Sequence, residues 1–206
     1  MRDDWFRNTT WNAETEARFE QKLRRARRKE QYLRIQASML ASTHPLVALA
    51  LLDRYFSLPD KFDNAQGHVD RANALLALGR IDLAADSLLD ALRREEEFPR
   101  LRTQAYLEFP VLVATTPLPD RFAAALEILD THSARPMFPV DRFLWNAARA
   151  LILAARGSRS DAKLHAAAAE QAAAESHSGF RHHPSIGLVS ERHDLIRKRL
   201  AAIAAA

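Results

Sequence analysis

Residues 65–99 read AQGHVDRANALLALGRIDLAADSLLDALRREEEFP, a stretch of strong helix formers that ends at Pro99. Pro99 is the second of three prolines spaced forty residues apart, together with Pro59 and Pro139. We expect each proline to close one helical segment and to open the next. A fixed period of roughly 20–50 residues is typical of repeat architectures, in which stacked helix pairs bury their apolar faces against neighbours. The sequence therefore predicts an all-α protein.

The same stretch resembles a tetratricopeptide repeat in its pattern of small and large residues. The matching positions are Ala72, Leu75, Gly79, Ile81, Ala84, Leu88 and Ala91, and a weaker copy has Ala150, Leu153, Gly157, Ala162, Ala166 and Ala169. In that family a glycine ends the first helix in a tight turn, and small residues let the helices cross closely. The family's tryptophan and leucine positions hold other residues here: His68 and Asn146, Arg71 and Arg149. The resemblance covers roughly residues 31–175 and implies a right-handed stack of tetratricopeptide-like helical hairpins.

Three segments share the pattern A-x-x-[LI]-L-D, at residues 48–53, 85–90 and 125–130. We expect each segment to lie in the second helix of a pair. The alanine would then permit a close helix crossing, the aliphatic residues would fill the space between layers, and the aspartate would face water.

The first helices of the pairs also resemble one another. Residues 34–37 read RIQA and residues 102–105 read RTQA. Pro99 and Pro139, each preceded by phenylalanine, are expected at the first position of the following helix. Pro110 interrupts another helical pattern, so that helix should kink or start afresh there.

The N-terminal part of the chain departs from the repeats. An Asn or Thr cap is expected before a helix that begins at about Asn12, with Glu14 and Glu16 in the favourable first turns. One apolar stripe then runs as far as His44-Pro45, through Phe19, Leu23, Ala26, Leu33, Ala37 and Leu40.

The C-terminal part changes character after the alanine-rich helix. Ser178-Gly179 should stop that helix, and Ser190 should cap a last one. Side chains of this capping helix are expected to cover the open end of the stack: Leu195, Ile196, Leu200 and Ile203. We therefore predict one domain over residues 1–206, with an aromatic and basic helix at 1–30, repeats at 31–175, and a histidine-rich loop with the capping helix at 176–206.

Three short segments carry a second resemblance: WFRNTTWN at residues 5–12, QYLRIQA at 31–37 and HPSIGLV at 183–189. Together they are similar to a family of uncharacterised bacterial tetratricopeptide-like proteins. This similarity spans nearly the whole chain. It implies a bacterial cytoplasmic protein and brings no established activity with it.

Composition agrees with a helical protein, because 48% of the residues are apolar and only five are glycine. The absence of cysteine excludes disulfides and thiolate metal sites. The start of the sequence is acidic where a secretory signal would be basic, and no apolar run is long enough to span a bilayer. We expect a cytoplasmic protein without a membrane partner. The net charge of +4 permits an acidic partner or nucleic acid without requiring either.

First helices of such repeats line a concave groove, and here they carry several arginines. The predicted partner-binding residues are Arg34, Gln36, Arg71, Asn73, Arg102, Gln104, Tyr106, Arg142, Trp145 and Arg149. Because guanidinium forks bind carboxylates through two parallel hydrogen bonds, this groove would suit an acidic peptide or protein surface. The alternative is that several of these arginines form ordinary bridges between helices, to Asp53, Asp70, Asp90 or Asp141. The carboxylate-clamp pattern of some peptide-binding relatives is not matched, since Val69 stands where lysine is expected.

A second hypothesis is binding to RNA or single-stranded DNA. A basic cluster that could contact phosphates consists of Lys22, Arg24, Arg25, Arg27 and Arg28. Trp5, Trp11 and Tyr32 could then stack on bases. The alternative is a solvated helix face, with the aromatic residues holding the N-terminal helix onto the first repeat.

A third hypothesis is a metal-dependent enzyme. His177, His182, His183 and His193 lie close together in the sequence, and imidazole is a good zinc ligand. Adjacent side chains such as those of His182 and His183 diverge, so a helix cap or packing under the last helix is the competing explanation. Enzyme motifs such as a P-loop, a Rossmann glycine triad or G-x-S-x-G are absent. We therefore expect a non-catalytic protein that needs no cofactor.

Overall fold

The computed structural model describes residues 4–59, 63–116 and 118–206. In these residues the chain forms ten α-helices and no β-strand, which confirms the all-α prediction. The helices are α1 (Ala13–Arg25), α2 (Lys29–Leu40), α3 (Pro45–Phe56), α4 (Asn64–Ala77), α5 (Ile81–Glu97), α6 (Ala105–Thr115), α7 (Phe122–Thr131), α8 (Pro139–Ala155), α9 (Arg159–Ala173) and α10 (Asp194–Ala205). No helix of the described part is both long and apolar enough to cross a membrane.

The contacts divide the chain into two compact units, Met1–Ala105 and Tyr106–Ala206. In the first unit α2 packs on α3, α3 on α4, and α4 on α5. In the second unit α7 packs on α8, α8 on α9, and α10 on both α8 and α9. Within the runs α2–α5 and α7–α10, each helix therefore packs against the next one along the chain. The predicted single domain and continuous stack stay predictions.

Two helical pairs, α4–α5 and α8–α9, turn through the same glycine geometry. Gly79 and Gly157 have φ angles of 69° and 84°, in the left-handed region that glycine enters without steric cost. The N–H of Gly79 donates to the carbonyl of Leu76 at 2.9 Å, and the N–H of Arg80 donates to that of Leu75 at 2.9 Å. Equivalent bonds at Gly157 measure 3.0 and 2.9 Å. This is the Schellman motif, so the glycine turns implied by the family resemblance are confirmed.

The three A-x-x-[LI]-L-D segments lie in α3, α5 and α7, as expected. Their alanines, at positions 48, 85 and 125, have no exposed surface. Their aspartates, at positions 53, 90 and 130, keep 63%, 40% and 68% of the side chain exposed. Each pattern therefore puts its small residue in the core and its charge in water.

Two of the three periodic prolines do not begin a helix. Pro139 is the first residue of α8, as predicted. Pro59 lies after the end of α3, and Pro99 lies in the turn after α5. The helix after Pro99 begins only at Ala105, whose N–H donates to the Oγ1 of Thr103 at 3.1 Å. Thr103 is held in turn by the buried side chain of Glu95. The Oε1 of Glu95 accepts from the N–H of Thr103 at 2.7 Å and from the Thr103 hydroxyl at 2.6 Å.

The predicted N-terminal helix is divided in two. Asn12 caps α1, since its Oδ1 accepts from the N–H of Thr15 at 2.9 Å. At Ala26 the backbone becomes extended, with φ −75° and ψ 140°, and α2 begins at Lys29. Phe19 and Leu23 on α1 face the same core as the buried side chains of α2. The apolar stripe is therefore shared by two helices.

Pro110 neither ends nor restarts its helix, because α6 runs through it from Ala105 to Thr115. The C-terminal end of α6 is capped from a distant part of the sequence. The guanidinium of Arg199 in α10 donates to the carbonyl of Ala114 at 3.1 Å and to that of Thr115 at 3.3 Å. A cation at this position satisfies carbonyls that have no partner within the helix and opposes the negative end of the helix dipole.

The last helix packs on α8 and α9, and three of its four apolar residues are at least partly buried. Leu200 is fully buried, and Ile196 and Ile203 are partly buried. Leu195 is 73% exposed, so the prediction that it covers the stack is wrong. Leu195 comes one residue after the start of α10, where the helix presents it to solvent instead of to α8 and α9.

Gly67 of α4 lies against the ring of Tyr55 in α3. A Cβ atom at Gly67 would lie 2.6 Å from the Cε1 of Tyr55, a residue that is only 2% exposed. We expect Gly67→Ala to lower the free energy of unfolding by about 1–3 kcal/mol through this overlap, despite alanine's better helix propensity. Urea unfolding followed by circular dichroism measures the change. The matched control is Asn73→Ala on the exposed face of α4, and an equal or smaller loss for Gly67→Ala would contradict the close approach.

We expect Arg199→Ala to lower the free energy of unfolding by about 1–2 kcal/mol, because two carbonyls at the end of α6 lose their donor. The neighbouring Lys198 is exposed, so Lys198→Ala removes the same charge without this contact. Thermal unfolding of both variants tests the difference. Equal melting temperatures for the two variants would show that the α10–α6 contact does not stabilise the fold.

Candidate functional site

Arg149 of α8 is held between an aromatic ring and a carboxylate. Its guanidinium lies 4.3 Å from the centroid of the Trp145 ring and pairs with Asp130 of α7. The indole N–H of Trp145 donates to the carbonyl of Leu129 at 3.2 Å, which orients the ring. The Arg149 side chain is 14% exposed, whereas that of Asp130 is 68% exposed. Burial lowers the pKa of Arg149, and the guanidinium stays charged because arginine does not deprotonate in proteins.

Arg71 of α4 has the same kind of surroundings. Its Nη2 lies 2.5 Å from the Oδ1 of Asp53 in α3, and its guanidinium lies 5.5 Å from the centroid of the Phe56 ring. The Phe56 ring also contacts the His68 ring, with centroids 4.6 Å apart. Burial lowers the pKa of His68. We call these two arrangements the arginine sites: Arg71 with Asp53 and Phe56, and Arg149 with Asp130 and Trp145.

The two arginine sites occupy the same place in their hairpins. Arg71 and Arg149 each precede the turn glycine by eight residues, and each pairs with an aspartate 18 or 19 residues earlier. One arginine site lies in each compact unit. Both arginines and the pairing with Asp53 were predicted from the sequence, whereas the pairing with Asp130 and the contact with the ring of Phe56 were not. The recurring spacing from aspartate to arginine is the signal that could have found them.

Arg34 forms a different kind of bridge. Its Nη1 donates to the Oδ2 of Asp70 in α4 at 2.9 Å, and its Nε lies 2.6 Å from the Oδ2 of Asp63. The Asp70 side chain is only 4% exposed. Burial raises the pKa of Asp70, although Arg34 opposes the shift. This pair therefore joins α2 to α4 inside the first unit, as the alternative interpretation of the arginines predicted.

Gln36 is buried and fully engaged, so it offers nothing to a partner. Its Oε1 accepts from the backbone N–H of Asn8 at 3.1 Å and from the Asn8 side-chain amide at 2.7 Å. Its Nε2 donates to the carbonyl of Asn8 at 2.8 Å. These three bonds tie the N-terminal segment to α2.

The remaining predicted residues differ in accessibility. Tyr106 is buried, with the guanidinium of Arg135 4.1 Å from its ring centroid. Arg142 donates to the Oε2 of Glu175 at 2.7 Å. Asn73, Arg102 and Gln104 are exposed. Arg102 and Gln104 precede α6, so the prediction that they lie on a first helix is wrong.

Two aspartates of the bridge hypothesis have other roles. Asp141 is the third residue of α8, and its Oδ2 accepts from the N–H of Phe138 at 3.1 Å. It therefore caps its own helix. Asp90 pairs with Arg93 of the same helix, and its Oδ2 lies 3.9 Å from the Nδ1 of His68.

The basic cluster is a solvated surface. All five side chains of the predicted nucleic-acid cluster are exposed: Lys22, Arg24, Arg25, Arg27 and Arg28. The neighbouring aromatic rings pack on one another, with centroids 4.8 Å apart for Trp5 and Tyr32 and 5.5 Å apart for Trp11 and Phe19. This confirms that the aromatic residues hold α1 against α2.

The C-terminal histidines do not converge. His177, His182 and His183 are exposed, whereas His193 is buried with its ring 5.6 Å from that of Phe143. The N–H of Ser190 donates to the Nδ1 of His193 at 3.2 Å, and Ser190 begins the turn that leads into α10. His193 therefore caps and packs under the last helix. In the described part of the chain, no three His, Asp or Glu side chains are grouped as a metal site requires.

Comparison with known proteins adds no assignment, because no protein-family profile, curated protein or solved structure matches the chain.

One buried histidine, His193, and two half-buried ones, His68 and His165, predict a loss of stability in acid. Burial lowers the pKa of His68, His165 and His193 below the ordinary 6.5. The unfolded chain therefore binds more protons, so stability is complete above pH 6.5 or so and falls as the pH drops below it. We expect the free energy of unfolding to be lower at about pH 5.5 than at about pH 7.5.

The substitution His193→Gln tests one part of this loss. Glutamine keeps an acceptor for the N–H of Ser190, as in a capping box, but cannot titrate. The difference in unfolding free energy between the two pH values should shrink in this variant, whereas His182→Gln at an exposed position should leave it unchanged. An undiminished difference in His193→Gln would show that His193 does not contribute.

Proposed function

We propose that this protein is a non-catalytic, tetratricopeptide-like scaffold that binds an acidic protein or peptide through arginines on the first helices of its hairpins. The observation that carries the proposal is the pair of arginine sites at matching positions before Gly79 and Gly157. We also propose that the protein is bacterial and acts in the cytoplasm.

The arginine sites are suited to exchange one carboxylate for another. In each site the ring holds the guanidinium in place, and the paired aspartate is mostly exposed, at 63% for Asp53 and 68% for Asp130. Exposed ion pairs contribute little stability. A carboxylate of a partner can therefore replace the aspartate at small cost, since the displaced side chain returns to water.

The other arginines differ in this respect. The pair of Arg34 with Asp70 is buried, and opening it would leave an uncompensated charge inside the first unit. We therefore assign Arg34 and Gln36 to the fold and the arginine sites to the partner. Asn73, Arg102 and Gln104 are exposed and available as further contacts.

Nucleic acid is the less well supported partner. The basic cluster supplies exposed charge for phosphates, but the rings of Trp5, Trp11, Phe19 and Tyr32 are packed against each other. Stacking of bases on aromatic side chains contributes much of the affinity for single strands. Binding of an acidic protein surface requires only guanidinium groups, and the arginine sites supply them.

A peptide-binding experiment tests the role of the arginine sites. Short fluorescein-labelled peptides rich in glutamate, in serine or in lysine are titrated with the protein, and anisotropy reports binding. We expect the glutamate peptide to bind best. The double variant Arg71→Gln, Arg149→Gln should weaken the affinity for this peptide about tenfold, because each substitution removes a charge-assisted contact.

A matched control exists beside the same glycine turns. Arg80 and Arg156 are exposed neighbours of Gly79 and Gly157, so Arg80→Gln, Arg156→Gln removes the same charge outside the arginine sites. Equal weakening by both double variants would reduce the effect to net charge and refute the assignment. Tighter binding of a single-stranded RNA oligonucleotide than of any peptide would favour the nucleic-acid hypothesis instead.

A further inference from the structure

Exposed apolar side chains lie beside Phe138 in the sequence, directly before α8, and on the loop that packs against it. Met137, Phe180 and Ile186 are 60%, 41% and 50% exposed. The rings of Phe138 and Phe180 lie with centroids 5.3 Å apart. Gly187, the residue after Ile186, lies so close to Phe138 that a Cβ there would be 2.5 Å from the Cβ of Phe138. We call this group the Phe138 patch: Met137, Phe138, Phe180 and Ile186.

The loop that carries half of the Phe138 patch is built around a buried serine. The N–H of Ser178 donates to the carbonyl of Pro184 at 2.8 Å, and its hydroxyl donates to the carbonyl of His183 at 2.7 Å. The same hydroxyl oxygen accepts from the N–H of Phe180 at 3.1 Å. Ser178 therefore holds Phe180 and the start of the HPSIGLV segment in one conformation.

Gly187 fastens the other end of this loop to α8. Its carbonyl accepts from the N–H of Val140, in the first turn of α8, at 2.8 Å. Its φ of +67° favours glycine, and the contact with Phe138 leaves no room for a side chain. The loop is thus fixed at both ends while Phe180 and Ile186 point into solvent. Apolar side chains presented by an ordered backbone are typical of interaction sites, because little conformational entropy is lost on binding.

The charge next to the Phe138 patch is positive. No Asp or Glu occurs between Ser176 and Ser190, and Arg181 is exposed. Arg181 has no ionic partner among the described residues, which span all of this loop. The carboxylates of the neighbouring elements are engaged within the fold: Asp141 caps α8, and Glu175 accepts from Arg142. A partner surface with apolar anchors and acidic flanks complements this arrangement.

We propose that the Phe138 patch docks an acidic segment of a partner protein, with one or two of its apolar side chains seated between Met137, Phe180 and Ile186 and its carboxylates near Arg181. The proposal rests on the proposed protein-binding role but uses none of the residues of the arginine sites. In this proposal the apolar contacts with the partner are made by the second compact unit, which contains the Phe138 patch.

The test uses the full chain and three labelled peptides of equal length: one of alternating glutamate and leucine, one of alternating lysine and leucine, and one of alternating glutamate and serine. Anisotropy should show the glutamate–leucine peptide binding at least about tenfold more tightly than the other two, because it alone combines anchors with acidic flanks. Phe180→Ser and Ile186→Ser should each weaken its binding several-fold, and Arg181→Gln should weaken it less.

Leu164→Ser is the matched control, since Leu164 is 70% exposed on α9 and lies outside the Phe138 patch. It should leave binding unchanged. Thermal unfolding checks that each variant keeps the fold. Weakening by Phe180→Ser while the double variant of the arginine sites has no effect would support the patch and refute the arginine sites.

The converse pattern, in which only the arginine-site variants weaken binding, would overturn the patch and leave the proposed function standing. Failure of the glutamate–leucine peptide to bind, or equal binding of the lysine–leucine peptide, would also overturn it. Sedimentation of the free protein tests the remaining alternative, in which a second copy of this chain occupies the Phe138 patch. Self-association that is abolished by Phe180→Ser would show that a second copy of this chain covers the patch, and would overturn the acidic partner.

Discussion

Close approach of helices through residues with little or no side chain is the constraint on which the rest of this structure depends. Ala72 and Ala84 are buried in the α4–α5 pair, and Ala150 and Ala162 occupy the corresponding positions in α8–α9. Gly67 brings α4 against the ring of Tyr55 in the preceding helix. Because each alanine buries little apolar area, the packing depends on short distances along whole helices, and any larger side chain would separate them.

Buried polar contacts then decide which segments meet. Alanine-rich faces are alike and would pack in several registers, whereas a buried amide or carboxylate must find its own partner. Gln36 binds Asn8, Arg34 binds Asp70, and Arg199 caps the end of α6. Each contact joins parts of the sequence that the helical pattern alone does not bring together. These interactions provide specificity that a uniform small-residue surface lacks.

The same chemistry separates structural arginines from those that can serve a partner. Arg34 and Arg71 both lie on helices of the first unit and both pair with an aspartate. The difference is in the carboxylate, which is 4% exposed for Asp70 and 63% exposed for Asp53. A buried pair cannot open without leaving a desolvated charge, while an exposed pair exchanges its carboxylate readily. Accessibility of the anion, and not the presence of arginine, therefore distinguishes the two.

Helical class, the glycine turns at Gly79 and Gly157 and the buried alanines could be predicted from the sequence, because they follow from local propensity and from periodicity along one helix. Where helices begin was less predictable. Pro59 and Pro99 resemble Pro139 in sequence, but only Pro139 starts a helix, since Thr103 and Glu95 determine the start of α6. Whether Gln36 faces solvent or Asn8, and whether an arginine meets a buried or an exposed aspartate, are contacts between distant residues. Local pattern carries no information about such contacts. The sequence by itself therefore determined the helical class and the glycine turns, and only the tertiary structure decided where several helices begin and which charged and apolar groups remain at the surface.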